Sequence, residues 1–110
     1  MIKKILLIFA IFSYTVLYSS TSNMNLSYEK VTSIKGTPWG MDFLDETRLL
    51  ITAKDGNIYL YNFDTKNIER IYTLKEVLDY GQGGLLDIKV LNYKGKKWIY
   101  LTYSKNINGK

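Results

Sequence analysis

Chemistry near neutral pH usually draws on histidine, cysteine or paired carboxylates, and this chain contains no histidine and no cysteine. Disulfide staples, thiolate zinc sites and thiol nucleophiles are excluded, together with the commonest general base and the commonest metal ligand. What remains is a short run, Gly81-Gln82-Gly83-Gly84, a set of scattered aspartates and two tryptophans. The neutral amide of Gln82 can both donate and accept hydrogen bonds. Gly81, Gly83 and Gly84 would allow positive φ and a close backbone approach around it. On the residues alone, the plainer reading of the run is a glycine-rich connection carrying an exposed, idle glutamine.

The other polar candidates read as structural. Asp42 and Asp87 fall inside strands at equivalent places in two similar units, so hydrogen bonding from one sheet to the next is expected of them rather than metal binding. Asp45, Asp55, Asp64 and Asp79 are turn residues by context, and their spacing matches no calcium loop. Trp39 and Trp98 begin strands and are expected to anchor packing between sheets, and Arg48 and Arg70 to be surface charges at strand ends. No catalytic residue and no metal ligand is assigned.

The elements that must position these residues are strands. From Trp39 onward the chain consists of short, alternating apolar runs broken by turn residues. Strands are predicted over 39–44, 48–53, 58–63 and 68–74, with Asp55-Gly56 supplying the positive φ that a tight hairpin requires. After the glycine-rich run, further strands are predicted over 85–91 and 98–103, with a turn over 93–97. The units echo one another: Gly40-Met41-Asp42-Phe43 parallels Leu85-Leu86-Asp87-Ile88, and Leu49-Leu50-Ile51-Thr52 parallels Ile99-Tyr100-Leu101-Thr102. The two spacings, 45 and 50 residues, fall in the range of β-propeller blades and favour a propeller over a sandwich. The expected fold is therefore all-β: the first one and a half to two blades of a propeller, truncated at the turn-like Asn106-Ile107-Asn108-Gly109-Lys110. Missing blades or other copies are needed to cover its faces.

The first residues read as an address. Met1-Ile2-Lys3-Lys4 precedes an unbroken apolar run from Ile5 to Phe12, and small residues follow at Ser20 and Ser22. This is the pattern of a secretory signal peptide over 1–22, cleaved after Ser22, which leaves a partial propeller over 23–110 and a periplasmic or secreted product. A helix over residues 5–18 would reach roughly 21 Å, against a hydrocarbon core of roughly 30 Å. An uncleaved anchor is the alternative, with Tyr14 and Tyr18 at its far edge. Loss of Lys3 and Lys4 lowers the net charge of +5 only slightly. The remaining basic residues form no stripe interleaved with aromatics, so nucleic acid is not an expected partner. Lys94, Lys96 and Lys97 read as a solvated hairpin tip.

Two stretches resemble a known family. The segment Thr37-Pro38-Trp39-Gly40-Met41-Asp42-Phe43-Leu44, with Arg48-Leu49-Leu50-Ile51-Thr52 and Asp55-Gly56-Asn57-Ile58, resembles the first blade of the soluble glucose/sorbosone dehydrogenases. The more specific match is Gly81-Gln82-Gly83-Gly84-Leu85-Leu86-Asp87 followed by Trp98-Ile99-Tyr100-Leu101-Thr102-Tyr103-Ser104. The resemblance implies a six-bladed propeller that binds pyrroloquinoline quinone (PQQ) and calcium and oxidises the C1 hydroxyl of aldose sugars. It implies that Gln82 matches a glutamine facing cofactor and sugar, with Gly81, Gly83 and Gly84 shaping the loop. It also implies a catalytic histidine that this chain lacks, so the fragment alone is expected neither to hold PQQ and calcium nor to oxidise sugars. The alternatives are a non-catalytic exported propeller that binds a ligand or a protein partner, and a small exported β-protein that assembles with other chains.

Overall fold

The structure, a computed structural model, describes residues 24–107; the expected leader over 1–22, its cleavage point after Ser22, and the last three residues lie outside the described part. The chain divides after Lys30. Residues 24–30 form no regular element. The unit from Val31 onward carries six strands: β1 (Pro38–Phe43), β2 (Arg48–Ala53), β3 (Asn57–Asn62), β4 (Asn67–Thr73), β5 (Leu85–Tyr93) and β6 (Lys96–Tyr103). They form a four-stranded antiparallel sheet in the order β1-β2-β3-β4 and a two-stranded antiparallel sheet, β5-β6.

The meander follows from side-chain alternation. In β2, Leu49, Ile51 and Ala53 point to one face and Leu50 and Thr52 to the other, and pairing sets Tyr61 opposite Leu49 and Tyr59 opposite Ile51. One face thereby gathers Leu49, Ile51, Ala53, Tyr59 and Tyr61, with Ile34 and Ile68 packed against them. The other gathers Leu50 and Ile58, which close onto Leu85 and Ile88 of β5. β2 is therefore buried on both sides, and the two sheets meet where β1 and β2 pack on β5.

The predicted elements are all present, with altered ends. The 93–97 turn is tighter than expected: β5 runs to Tyr93 and β6 starts at Lys96, leaving Lys94-Gly95 as a two-residue loop. Both have positive φ, 49° and 74°, the geometry whose twist matches a right-handed strand pair. Gly56 has φ 106°, as the Asp55-Gly56 signal requires, and a Cβ there would lie 2.6 Å from the Leu74 carbonyl. Arg70 sits inside β4 rather than at a strand end.

The internal repeat is real at one end and shifted at the other. Each sheet carries a bulge in its first strand, between Pro38 and Met41 and between Leu85 and Ile88. In the first, the Gly40 N–H donates to Thr52 Oγ1 at 2.9 Å; in the second, the Asp87 N–H donates to Thr102 Oγ1 at 3.1 Å. Thr52 and Thr102 are thus equivalent, as the sequence suggests, whereas Asp87 corresponds to Gly40 and not to Asp42. The bulge fixes this register, and it is a property of the paired strands.

That shift separates the two aspartates. Asp42 does join the sheets, accepting the Val90 N–H at 2.7 Å, while Asp87 accepts from its own neighbour, the Ile88 N–H, at 2.8 Å. The tryptophans depart from expectation as well: Trp39 and Trp98 are 47% and 51% exposed and are not buried anchors. Strand alternation puts Trp98 with Leu91 and Tyr100 on the face of β5-β6 turned away from Ile88 and Leu101.

Thr52 is the fully buried polar side chain at the sheet junction. Its hydroxyl accepts from Gly40 and donates to the Leu86 carbonyl at 2.5 Å, across to the second sheet. Thr52→Val keeps the shape and leaves both backbone groups unpaired, so denaturant unfolding should show a loss of about 2 to 4 kcal/mol while Thr52→Ser loses much less. A loss within error for the valine variant would show that the hydroxyl does not hold the sheets.

The β1–β2 turn supplies a pH-dependent contact. Asp45 accepts the Arg48 N–H at 2.9 Å and lies 2.6 Å from the Arg48 guanidinium, and hydrogen bonding from Arg48 and then from the Thr47 N–H lowers its pKa from 3.8 to about 2. A depressed carboxylate stabilises the fold fully above its unfolded value and loses that contribution as pH falls through the folded one. Stability of the native chain should therefore fall between pH 3.8 and about 2, and Asp45→Asn should flatten that limb in an acid titration followed by circular dichroism.

Candidate functional site

The Gly81–Gly84 run lies in the connection between β4 and β5, and backbone hydrogen bonds fasten it on two sides. The Leu85 N–H donates to the Lys54 carbonyl at 2.9 Å, tying it to the β2–β3 hairpin. The Ser104 N–H donates to the Gly84 carbonyl at 3.0 Å and the Leu78 N–H to the Ser104 carbonyl at 2.8 Å, tying it to the residue after β6. Within this frame the Gly83 N–H donates to the Tyr80 carbonyl at 2.8 Å and closes a tight turn over Gly81-Gln82.

The three glycines do different things. Gly81 has φ 60° and open space around it, so it serves the turn. At Gly83 a Cβ would lie 2.6 Å from Ser104 Oγ, and at Gly84, φ 153°, it would lie 2.5 Å from the Lys54 carbonyl oxygen. The close approach expected of Gly83 and Gly84 is therefore made to the chain's own residues. Gln82 is exposed at the turn, next to Gly81 and the 80%-exposed Tyr80. The structure thus presents one amide and one phenol at a loop tip, groups able to hydrogen-bond a hydroxylated ligand.

Two features of this end were not foreseen from sequence. Lys54 Nζ lies 2.6 Å from Asp79 Oδ1, an ion pair that joins the hairpin to the connection just before the glycine turn. Tyr103 donates its phenol proton to Glu76, whose other oxygen lies 2.7 Å from Lys105 Nζ. Hydrogen bonding from Lys105 and then Tyr103 lowers the Glu76 pKa, while Glu76 raises those of Tyr103 and Lys105. Each group is pushed away from neutrality, which disfavours a general base here. No sequence spacing marks these pairs, because they join residues from separate elements.

Calcium needs several oxygen donors converging on one point, and among the described residues no group of three acidic or other metal-ligating side chains is close enough to form such a set. A quinone cofactor would find one exposed amide at Gln82, while the Lys54 ammonium at this end is paired with Asp79. The described residues therefore do not fit calcium or a quinone as a complete site. A groove of about 680 Å³, lined by Phe43, Leu44, Val90 and Lys97 among others, lies at the opposite end of the strands.

Comparison with known proteins is consistent with this architecture. Neither the curated proteins nor the solved structures returned a match. The family model described as Glucose / Sorbosone dehydrogenase matches residues 35–110, which takes in all six strands and the glycine turn. On that match the chain belongs to the glucose/sorbosone dehydrogenase family.

Proposed function

We propose that this chain is the N-terminal, sheet-forming part of an exported PQQ-dependent dehydrogenase that oxidises the C1 hydroxyl of aldose sugars. The observation that carries this reading is the family match over residues 35–110, a span that includes the Gly-Gln-Gly-Gly turn at one end of the strands. In this reading the two sheets are the opening blades of a six-bladed propeller, and the turn sits at its mouth. PQQ with calcium would supply the hydride acceptor, a polarised carbonyl.

The chain's own contribution is binding and support. Gln82 orients a sugar hydroxyl or a cofactor oxygen through its amide, and Gly81 gives the turn its shape. Gly83 and Gly84 keep the turn pressed on Ser104 and Lys54. Removal of the hydroxyl proton needs a base of near-neutral pKa, and with no histidine in the sequence that role falls to residues outside this chain. Export through residues 1–22 would place the product in the periplasm or outside the cell, where PQQ and calcium would be loaded.

The test is a dye-reduction assay on the polypeptide that joins this chain to the blades completing the propeller. With an aldose present, a redox dye should bleach only after PQQ and calcium are added; no bleaching would remove the sugar-dehydrogenase reading. In that protein Gln82→Ala should lower kcat/KM by about 1 to 3 kcal/mol of lost contact. Unchanged kinetics would reduce Gln82 to a loop residue.

A further inference from the structure

Tyr103, Ser104 and Lys105, where β6 ends, all grip the connection between β4 and β5. Tyr103 and Lys105 both bind Glu76, and Lys105 forms a bridge with Val77. Ser104 lies between them and reaches further along the connection, to both sides of Gln82. On the near side its carbonyl accepts the Leu78 N–H and its hydroxyl donates to the Leu78 carbonyl, each at 2.8 Å. On the far side its N–H donates to the Gly84 carbonyl at 3.0 Å. Its side chain also closes the space beside Gly83, where a Cβ would stand 2.6 Å from Oγ. Between these anchor points the Gly83 N–H bonds the Tyr80 carbonyl, so the turn that carries Gln82 is a closed loop tied at both ends to one residue.

We propose that Ser104 is a positioning residue for Gln82: its hydroxyl and its two backbone bonds fix where the amide stands before any ligand arrives. This rests on the reading of Gln82 as the contact to a sugar hydroxyl or a cofactor oxygen. The other holder of the turn, Lys54, acts through its backbone carbonyl and a partly exposed ion pair, the weaker kind of side-chain tether. The Ser104 hydroxyl is partly buried and bonds a backbone carbonyl of the connection itself. Without it the Leu78 carbonyl loses that donor, the loop gains freedom, and a ligand must supply the ordering that Ser104 supplies in advance.

Hydrogen exchange read at single amides tests the tether on the full chain, held in non-ionic detergent because of its apolar N-terminal run. In Ser104→Ala the Gly83 amide should exchange roughly threefold to tenfold faster, as for one lost hydrogen bond, while the β2 amides keep their rates. Equal acceleration in β2, or none at Gly83, overturns the proposal. In the unsubstituted chain the Leu78, Gly83 and Ser104 amides should open together with one denaturant dependence. A Gly83 amide that opens while those of Leu78 and Ser104 stay protected overturns the proposal with no variant needed. In the polypeptide completed for dye reduction, Ser104→Ala should raise the aldose KM roughly threefold to tenfold with kcat little changed, and should add nothing beside Gln82→Ala. A fall in kcat alone, or a full effect beside Gln82→Ala, makes Ser104 merely structural and overturns the proposal. Failure of the unsubstituted polypeptide to reduce dye removes the sugar-oxidation reading instead, and the exchange rates then decide the tether by themselves.

Discussion

The buried hydroxyl of Thr52 is the point on which the arrangement of the two sheets depends. Burial without partners would cost the chain free energy, yet this oxygen accepts the Gly40 N–H inside its own sheet and donates its proton to Leu86 in the next. Both contacts need the bulge in β1, which turns the Gly40 N–H toward the threonine instead of along the ladder. They also need glycine at position 40, because a Cβ there would stand 3.0 Å from the Asp87 Cα and the Leu86 carbonyl oxygen. A bulge, a glycine and a threonine thus bring two sheets to a distance at which Leu50 and Ile58 can bury Leu85 and Ile88. Asp42 with the Val90 N–H, and Lys97 with the Leu44 carbonyl, extend the same junction toward its far end.

The glycine turn inherits its position from that junction. Leu85 begins β5, is fully buried against Leu50, and donates its N–H to Lys54 at the end of β2. The residues just before it are consequently laid on the β2–β3 hairpin, and Gly84 is the residue small enough to lie there. The Lys54–Asp79 pair closes the same segment from its other side; with side chains 20% and 43% exposed it adds orientation more than stability. Gln82 is held at the end of the strands by backbone contacts of its neighbours, Gly83 to Tyr80, Gly84 to Ser104 and Leu85 to Lys54.

Much of this was legible in the sequence, for a definite physical reason. Alternation is a one-strand property, so Arg48–Ala53 could be bounded from its own residues, and Asp55-Gly56 announced a hairpin because few other pairs tolerate its φ values. The Thr52–Thr102 equivalence was visible because the flanking apolar residues match. The companion alignment of Asp42 with Asp87 was two residues out of register, since a bulge belongs to a pair of strands and leaves no mark in either alone. The tryptophans were misjudged on the same account: their type suggests burial, but whether a face is covered depends on what packs against it. Among the candidate residues, the turn was readable and the division of labour within it was not, because crowding at Gly83 and Gly84 comes from Ser104 and Lys54, far away in sequence.

That division narrows where ligand chemistry could act. A glycine-rich motif invites the reading that every glycine makes room for a ligand, yet at two of the three positions the room is filled by the protein itself. The requirement for glycine at 83 and 84 is met by packing and would persist in a relative that bound nothing. Gly81 differs, since among the described residues open space surrounds it and only its positive φ calls for glycine, and Gln82 and Tyr80 beside it are exposed. If the loop meets a sugar or a cofactor, it does so there, through polar groups that can share hydrogen bonds but are not suited to accept a proton near neutrality. The physical content of the motif is therefore a rigid mount with a small polar tip, and recognition by it depends on how firmly Lys54 and Ser104 hold the mount.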